Sequence, residues 1–384
     1  MFKAVAGYYK DNERLRLLVK IIAVWLISRA VMLLMVPVMN LIADEPHQWL
    51  YYMNPWDAEW YKGIVENGYQ PPKSSGMASW AFFPLYPLVC MAVRLVTMGS
   101  IDTYAVGMTV SNICIIIAVY YAVKYADIEL DMKKYNKKTV EDIIIFLMLA
   151  GPFAVYYGAM YTEALFILCV ILCFYNSARH NYMAAGIAAA MASATRIVGC
   201  MLVFVLITYM FMETCAECRA KHNSEMKDNK EAGIIDKCML TEEAGILIAG
   251  NISLASVIRT FIKNVIKEPK KLVAIMISPL GIFIYMNYLR YFCGDSWAFY
   301  HVQRAWRTQK MFPVIGVLFK SCTGQLSAAS GVKTLNGIIL GWLCVITLML
   351  YAAMIRKKHY ALGIFGIIVL LIPLTSSVML SLIH

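Results

Sequence analysis

Apolar residues in this chain come in long unbroken runs, without the strict alternation of a half-buried strand or the single stripe of a soluble amphipathic helix. Crossing a hydrocarbon core of roughly 30 Å takes about 20 such residues. Runs of this kind cover residues 17–42, 103–123, 143–157, 164–177, a hairpin broken near Arg196 that ends before Glu213, and then 272–288, 335–355 and 362–382. Counting the hairpin as two, the pattern predicts nine transmembrane helices in an all-α polytopic membrane protein. The run at 17–42 is too long for the apolar region of a signal peptide and has no small-residue cleavage site, so it is predicted to stay as an anchor.

The polar stretches set the orientation. Lys3, Lys10, Arg14, Arg16 and Lys20 precede the first span and place the N-terminus in the cytoplasm by the positive-inside rule. The first loop, 43–101, is then external. It is rich in Trp, Tyr, Pro and Gly, which suit a membrane interface. Its segment 80–100 is apolar enough to span but carries Pro84, Pro87 and Arg94. If it lies flat or re-enters, the basic loop with Lys133, Lys134, Lys137 and Lys138 falls inside, and the flat reading is taken on that ground. A polar insert, 213–271, reads as a solvated cytoplasmic loop with one apolar patch at 244–262 suited to a surface helix. The whole, 1–384, is read as one membrane domain.

Composition agrees with the pattern: 60% of residues are hydrophobic and 15% charged, more apolar side chain than a soluble globule can hide. The net charge of +11 sits in short blocks beside apolar runs and forms no basic groove with stacking aromatics, which argues against nucleic acid. Most of the 11 Cys lie within apolar runs and imply no disulfide framework. Cys215-x-x-Cys218 has metal-binding spacing but no second pair at zinc-site distance.

Four polar constellations fall on the predicted external side, where membrane-embedded charge suggests function. In the first, Trp56-Asp57-Ala58-Glu59-Trp60-Tyr61, Asp57 lies among aromatics that can lower the local dielectric and pack on a sugar ring; it reads as a general base or as the N-cap of a helix starting at Ala58. Glu59, on another helical face, is a secondary candidate. The second is Tyr161-Thr162-Glu163 at a span mouth, where Glu163 can orient an acceptor hydroxyl or hold a cation. In the third, Thr195-Arg196, the guanidinium needs an anion: a lipid phosphate, or a carboxylate such as Glu163 in a buried ion pair. The fourth runs from Gly294 and Asp295 through His301 and Gln303 to Trp306, a mixture of polar and aromatic groups suited to binding substrate.

Together with Gly68-Tyr69, Phe83-Pro84-Leu85-Tyr86-Pro87, Ala164-Leu165-Phe166, Gly199 and Phe299, these motifs in this order resemble the PIG-V family, the glycosylphosphatidylinositol mannosyltransferases that add the second mannose, and especially its prokaryotic relatives. The resemblance covers nearly the whole chain outside the insert. It implies a GT-C glycosyltransferase fold in a bacterial cell membrane, a polyprenyl-phosphate sugar donor, typically of mannose, and a catalytic acid in the first external loop, the position of Asp57. Relatives continue through a Pro-Arg-Tyr-like motif where this chain ends at Ser381-Leu382-Ile383-His384. A bacterial relative need not build a glycolipid anchor, so the acceptor, lipid or glycan, stays open.

The expected reaction is an inverting displacement in which Asp57 deprotonates the acceptor and Arg196 steadies the leaving phosphate. A lipid-borne donor needs no Gly-rich nucleotide loop, and none is seen. A divalent cation, Mg or Mn, could be shared by Asp57 and Glu163. Trp56, Trp60, Tyr61, Tyr161, Asp295, His301, Gln303 and Trp306 are the expected substrate-binding residues. The alternatives are a lipid or solute transporter or flippase, which would move substrate without forming a bond, and a non-catalytic assembly partner.

Overall fold

The computed structural model describes residues 12–42, 47–231, 253–305, 314–325 and 332–374. Every regular element among them is helical. Four helices are long and apolar enough to cross a membrane: Glu13–Ile42, Thr103–Glu129, Ile197–Ser224 and Leu335–Arg356. A fifth span results if Pro269–Ile277 and Leu280–Cys293 form one broken crossing. The protein is therefore a multi-pass membrane protein. Other predicted spans are shorter helices: Lys137–Leu149, Glu163–Ala178 and Tyr182–Thr195 have 13, 16 and 14 residues, or about 20–24 Å of helix. The last predicted span is helical over Tyr360–Leu374, and its remainder lies outside the described residues.

The chain packs as two compact units, the first made of Met1–Ala178, Ile187–Cys200 and Ser278–Thr308. It begins with α1 (Glu13–Ile42), whose Leu26, Ile27 and Leu34 are exposed, as a lipid-facing helix requires. The first loop then folds into α2 (Trp49–Met53), α3 (Ala58–Asn67), a 3₁₀ turn at Ser79–Ala81 and α4 (Leu85–Val96). At 12 residues, about 18 Å, α4 alone is too short to cross the core.

The centre of this unit is α5 (Thr103–Glu129), packed on α7 (Glu163–Ala178), with α6 (Lys137–Leu149) alongside. Val106, Val110, Ile115, Ala118 and Val119 of α5 and Cys169, Val170 and Cys173 of α7 are buried. Two side chains start these helices: Asp102 accepts the Tyr104 and Ala105 N–H groups, and Asn136 accepts those of Lys138 and Thr139. α1 is tied in by polar contacts, Ser28 to the Leu149 carbonyl and Trp25 and Arg29 to Asn112.

α8 (Tyr182–Thr195) is built mostly of small residues, and α12 (Leu280–Cys293) approaches its C-terminal half closely. A Cβ added to Gly281 would lie 2.3 Å from the Ala190 carbonyl oxygen and 2.4 Å from the Ala194 nitrogen. Two backbones meet here with no room for a side chain. After α12, Gly294 turns the chain at φ 79° into α13 (Ala298–His301) and a 3₁₀ turn at Val302–Ala305.

The second unit holds Arg179–Gly186, Met201–Ile277 and Gln309–His384. Its elements are α9 (Leu202–Glu231), α10 (Leu254–Lys267), α11 (Pro269–Ile277), α14 (Val314–Cys322), α15 (Val332–Arg356) and α16 (Tyr360–Leu374). α9 runs unbroken past Glu213, so the polar insert starts inside a helix and not in a solvated loop. Of the apolar patch, 244–252 lies outside the described residues and the rest belongs to α10. The buried Lys271 is held by Glu213 at 3.1 Å and Glu268 at 2.8 Å, with the Tyr182 hydroxyl on Glu213 at 2.7 Å. Two acids neutralise an ammonium that could not otherwise be buried.

Candidate active site

Asp57 stands at the N-terminus of α3 but does not cap it. Its backbone is helical, at φ −68° and ψ −17°, and its side chain makes no capping hydrogen bond, which corrects the capping reading: an Ncap residue takes extended backbone and turns its side chain onto the helix. The turn before it is strained, for Trp56, exposed and without glycine's freedom, has φ 48°.

Tyr161 holds that turn. Its hydroxyl donates to the Pro55 carbonyl at 2.5 Å and accepts the Asp57 N–H at 3.1 Å. Asn54, buried beside it, accepts the Met160 N–H at 2.8 Å and donates to the Leu50 carbonyl at 2.8 Å. The first loop and the segment entering α7 are thereby fastened at two points on either side of Trp56.

Behind Asp57 lies a polar cluster in an aromatic wall. Tyr61 is buried against Phe82, Tyr86 and Tyr161, with its hydroxyl 3.4 Å from the Thr162 hydroxyl. Burial pushes the Tyr61 phenol well above its ordinary value, and the Glu163 charge adds to this, so it stays protonated. Glu163 opens α7 and binds Arg196, Nη2 to Oε1 at 2.9 Å. The ion-pair alternative for Arg196 is thus realised with Glu163. The other carboxylate oxygen, Oε2, is buried and has no hydrogen-bond partner among the described residues. Tyr161 bonds the Pro55–Asp57 turn, the Tyr61 hydroxyl lies beside that of Thr162, and Glu163 pairs with Arg196, so these contacts link the first three constellations in sequence.

The fourth forms a separate surface. His301 Nδ1 lies 2.6 Å from an Asp295 carboxylate oxygen, whose other oxygen accepts the Trp297 N–H at 2.9 Å. The His301 hydrogen bond, followed by that from Trp297, holds the Asp295 carboxyl below its ordinary value. Gln303 is half-buried in the neighbouring 3₁₀ turn, and Trp306 lies outside the described residues. An aromatic core ties this surface to the first loop: Phe83 packs on Phe299 and Tyr285, and the Tyr285 hydroxyl donates to the Trp80 carbonyl at 2.7 Å.

Glu59 points elsewhere, accepting the Tyr104 hydroxyl at the exposed face of α3. Trp60 stacks on Phe82 and has the Lys73 ammonium 4.8 Å over its ring. Among the described residues no group of three His, Cys, Asp or Glu could hold a metal, the Cys215 and Cys218 pair included.

Arg29, which carried no assignment on sequence, has a structural one. It bonds Asn112 at 2.8 Å and the Ala154 carbonyl at 2.9 Å, and its guanidinium lies where a Gly158 side chain would be. It thus orders the segment leading to Tyr161. An arginine inside an otherwise apolar run was the available signal.

The described residues thus set a carboxylate, a buried phenol and a carboxylate–guanidinium pair beside an aromatic wall in a helical membrane protein. The model of the mannosyltransferase (PIG-V) family matches residues 15–232, more than half of the chain, and the protein belongs to that family. The match contains Asp57, Tyr161, Glu163 and Arg196 and ends before Asp295. No curated protein and no solved structure gave a match. Family membership supports glycosyltransferase activity, with a sugar donor and an acceptor.

Proposed function

We propose that the protein is a GT-C-type mannosyltransferase that moves mannose from a polyprenyl-phosphate donor to a hydroxyl of a lipid or glycan acceptor, with inversion, at the external face of a bacterial membrane. The observation that carries the reading is the run of contacts from the Asp57 turn through Tyr161 and Thr162 to the Glu163–Arg196 pair, beside a carboxylate that does not cap its helix. Asp57 takes the acceptor proton as the oxygen attacks the anomeric carbon, and the leaving phosphate departs with the bonding electrons.

Arg196 stabilises the charge that develops on that phosphate, while Glu163 holds the guanidinium in place. The buried Oε2 of Glu163, without a hydrogen-bond partner among the described residues, is an acceptor suited to a substrate hydroxyl. Tyr161 acts through Asp57 by fixing its turn, and Tyr61 stays a neutral donor. Trp56 offers an exposed ring for stacking a sugar, whereas the Trp60 ring is already engaged by Phe82 and Lys73, and Asp295, His301 and Gln303 are assigned to acceptor binding beside the aromatic core.

The proposed topology has nine spans, a cytoplasmic N-terminus and the first loop outside. The decisive experiment is mannose transfer from a synthetic polyprenyl-phosphate-mannose in membranes containing the wild type or Asp57→Asn at equal level. Product from the wild type alone supports donor and base together. Equal product from both removes Asp57 as the base. No product from any polyprenyl-phosphate sugar overturns the donor assignment.

A further inference from the structure

One face of α10 has no function in the proposed reaction. The helix packs on α9 through Phe261, whose ring is 5.7 Å from that of Phe211, and through Asn264, which bonds Glu217 at 2.9 Å. Beside this packed side, Leu254, Ile258, Ile262 and Ile266 recur every four residues and are 49%, 43%, 51% and 65% exposed. At 100° per residue they form one continuous aliphatic strip. Along the edge of the strip, also every four residues, stand Arg259, Lys263 and Lys267. All three are exposed, and among the described residues none forms an ion pair.

From this arrangement we infer that α10 is an interfacial helix that docks on a bilayer surface bearing anionic headgroups. The aliphatic strip enters the headgroup–acyl boundary and the three cations bind lipid phosphates. Charge complementarity selects the occupant: a protein partner would be expected to find aromatic anchors, and the strip has none. Continuity supports the same choice, because α11 begins at Pro269 and exposes Leu272, Val273 and Met276, as a lipid-facing helix does.

The test places a benzophenone amino acid at position 262 of the full-length protein in phosphatidylcholine nanodiscs containing a minority of phosphatidylglycerol, with the same probe at position 257 as a control facing the protein. The expected result at 262 is lipid adducts in which phosphatidylglycerol exceeds its mole fraction by roughly threefold or more, an excess that Arg259→Gln, Lys263→Gln and Lys267→Gln together abolish. Adducts in simple proportion to lipid composition, adducts to protein, or no adduct at 262 while 257 cross-links internally would overturn the inference.

Discussion

At the scale of single residues, the proposed site rests on Asp57, whose backbone turn is held by the Tyr161 hydroxyl. Asp57→Asn keeps the shape and removes the proposed base, so transfer should fall by about a hundredfold to ten-thousandfold at unchanged protein level. Tyr161→Phe is subtler. It leaves the ring packing intact but removes both hydrogen bonds to the Pro55–Asp57 turn, in a place where Trp56 already strains the backbone. Its kcat should fall by about tenfold with little change in KM, since a loosened base affects the transition state more than the bound substrate. A raised KM with kcat unchanged would instead assign the hydroxyl to substrate binding. The Glu163–Arg196 pair gives a different signature. Glu163→Ala leaves a guanidinium without its partner and should destabilise the fold by about 3 kcal/mol in thermal or denaturant unfolding. Replacing both residues by Leu and Met should recover most of that stability but not activity, which separates the charge's structural role from its chemical one.

At the scale of elements, α8 and α12 pack backbone to backbone through small residues. Gly281 of α12 meets the backbone of α8 with no space for a Cβ, so Gly281→Val should separate two helices that position Arg196 on one side and the Asp295 surface on the other. A loss of about 1–3 kcal/mol is expected from such overpacking, and a fall in transfer should accompany it although neither reacting group is touched. Gly63→Ala in α3, with nothing within 4 Å of the added carbon, is the matched control and should be neutral or slightly stabilising. The short α4 and the 3₁₀ turn at Ser79–Ala81 show a similar economy. They lie beside the Tyr69, Phe83 and Tyr285 cluster, which holds the first loop through its own carbonyls, at Trp80 and Phe82.

At the scale of the molecule, the proposed orientation makes a prediction that does not depend on catalysis. With the first loop outside and the basic loop inside, Met77→Cys should react with a membrane-impermeant thiol reagent in intact cells, and Lys134→Cys only after permeabilisation. Labelling of both from the same side would mean that 80–100 crosses, despite the 12-residue length of α4.

The class of the protein was legible in the sequence alone. Long apolar runs admit only membrane helices, because backbone polar groups in lipid must bond within their own segment, and Asp57, Glu163 and Arg196 stood out as charges where charge is rare. Family membership was legible too, since it rests on ordered local motifs. Other features depended on contacts between residues far apart in the chain. That Arg196 pairs with Glu163, that Asp57 leaves its helix uncapped while Tyr161 holds its turn, and that Arg29 orders the segment before Tyr161 are choices among partners that one-dimensional spacing leaves equal. Helix ends were decided in the same way. α9 continues past Glu213 because the Tyr182 hydroxyl and the Lys271 ammonium bond that carboxylate, and a charge that marks a loop in the sequence becomes part of a packed polar network once its partners arrive.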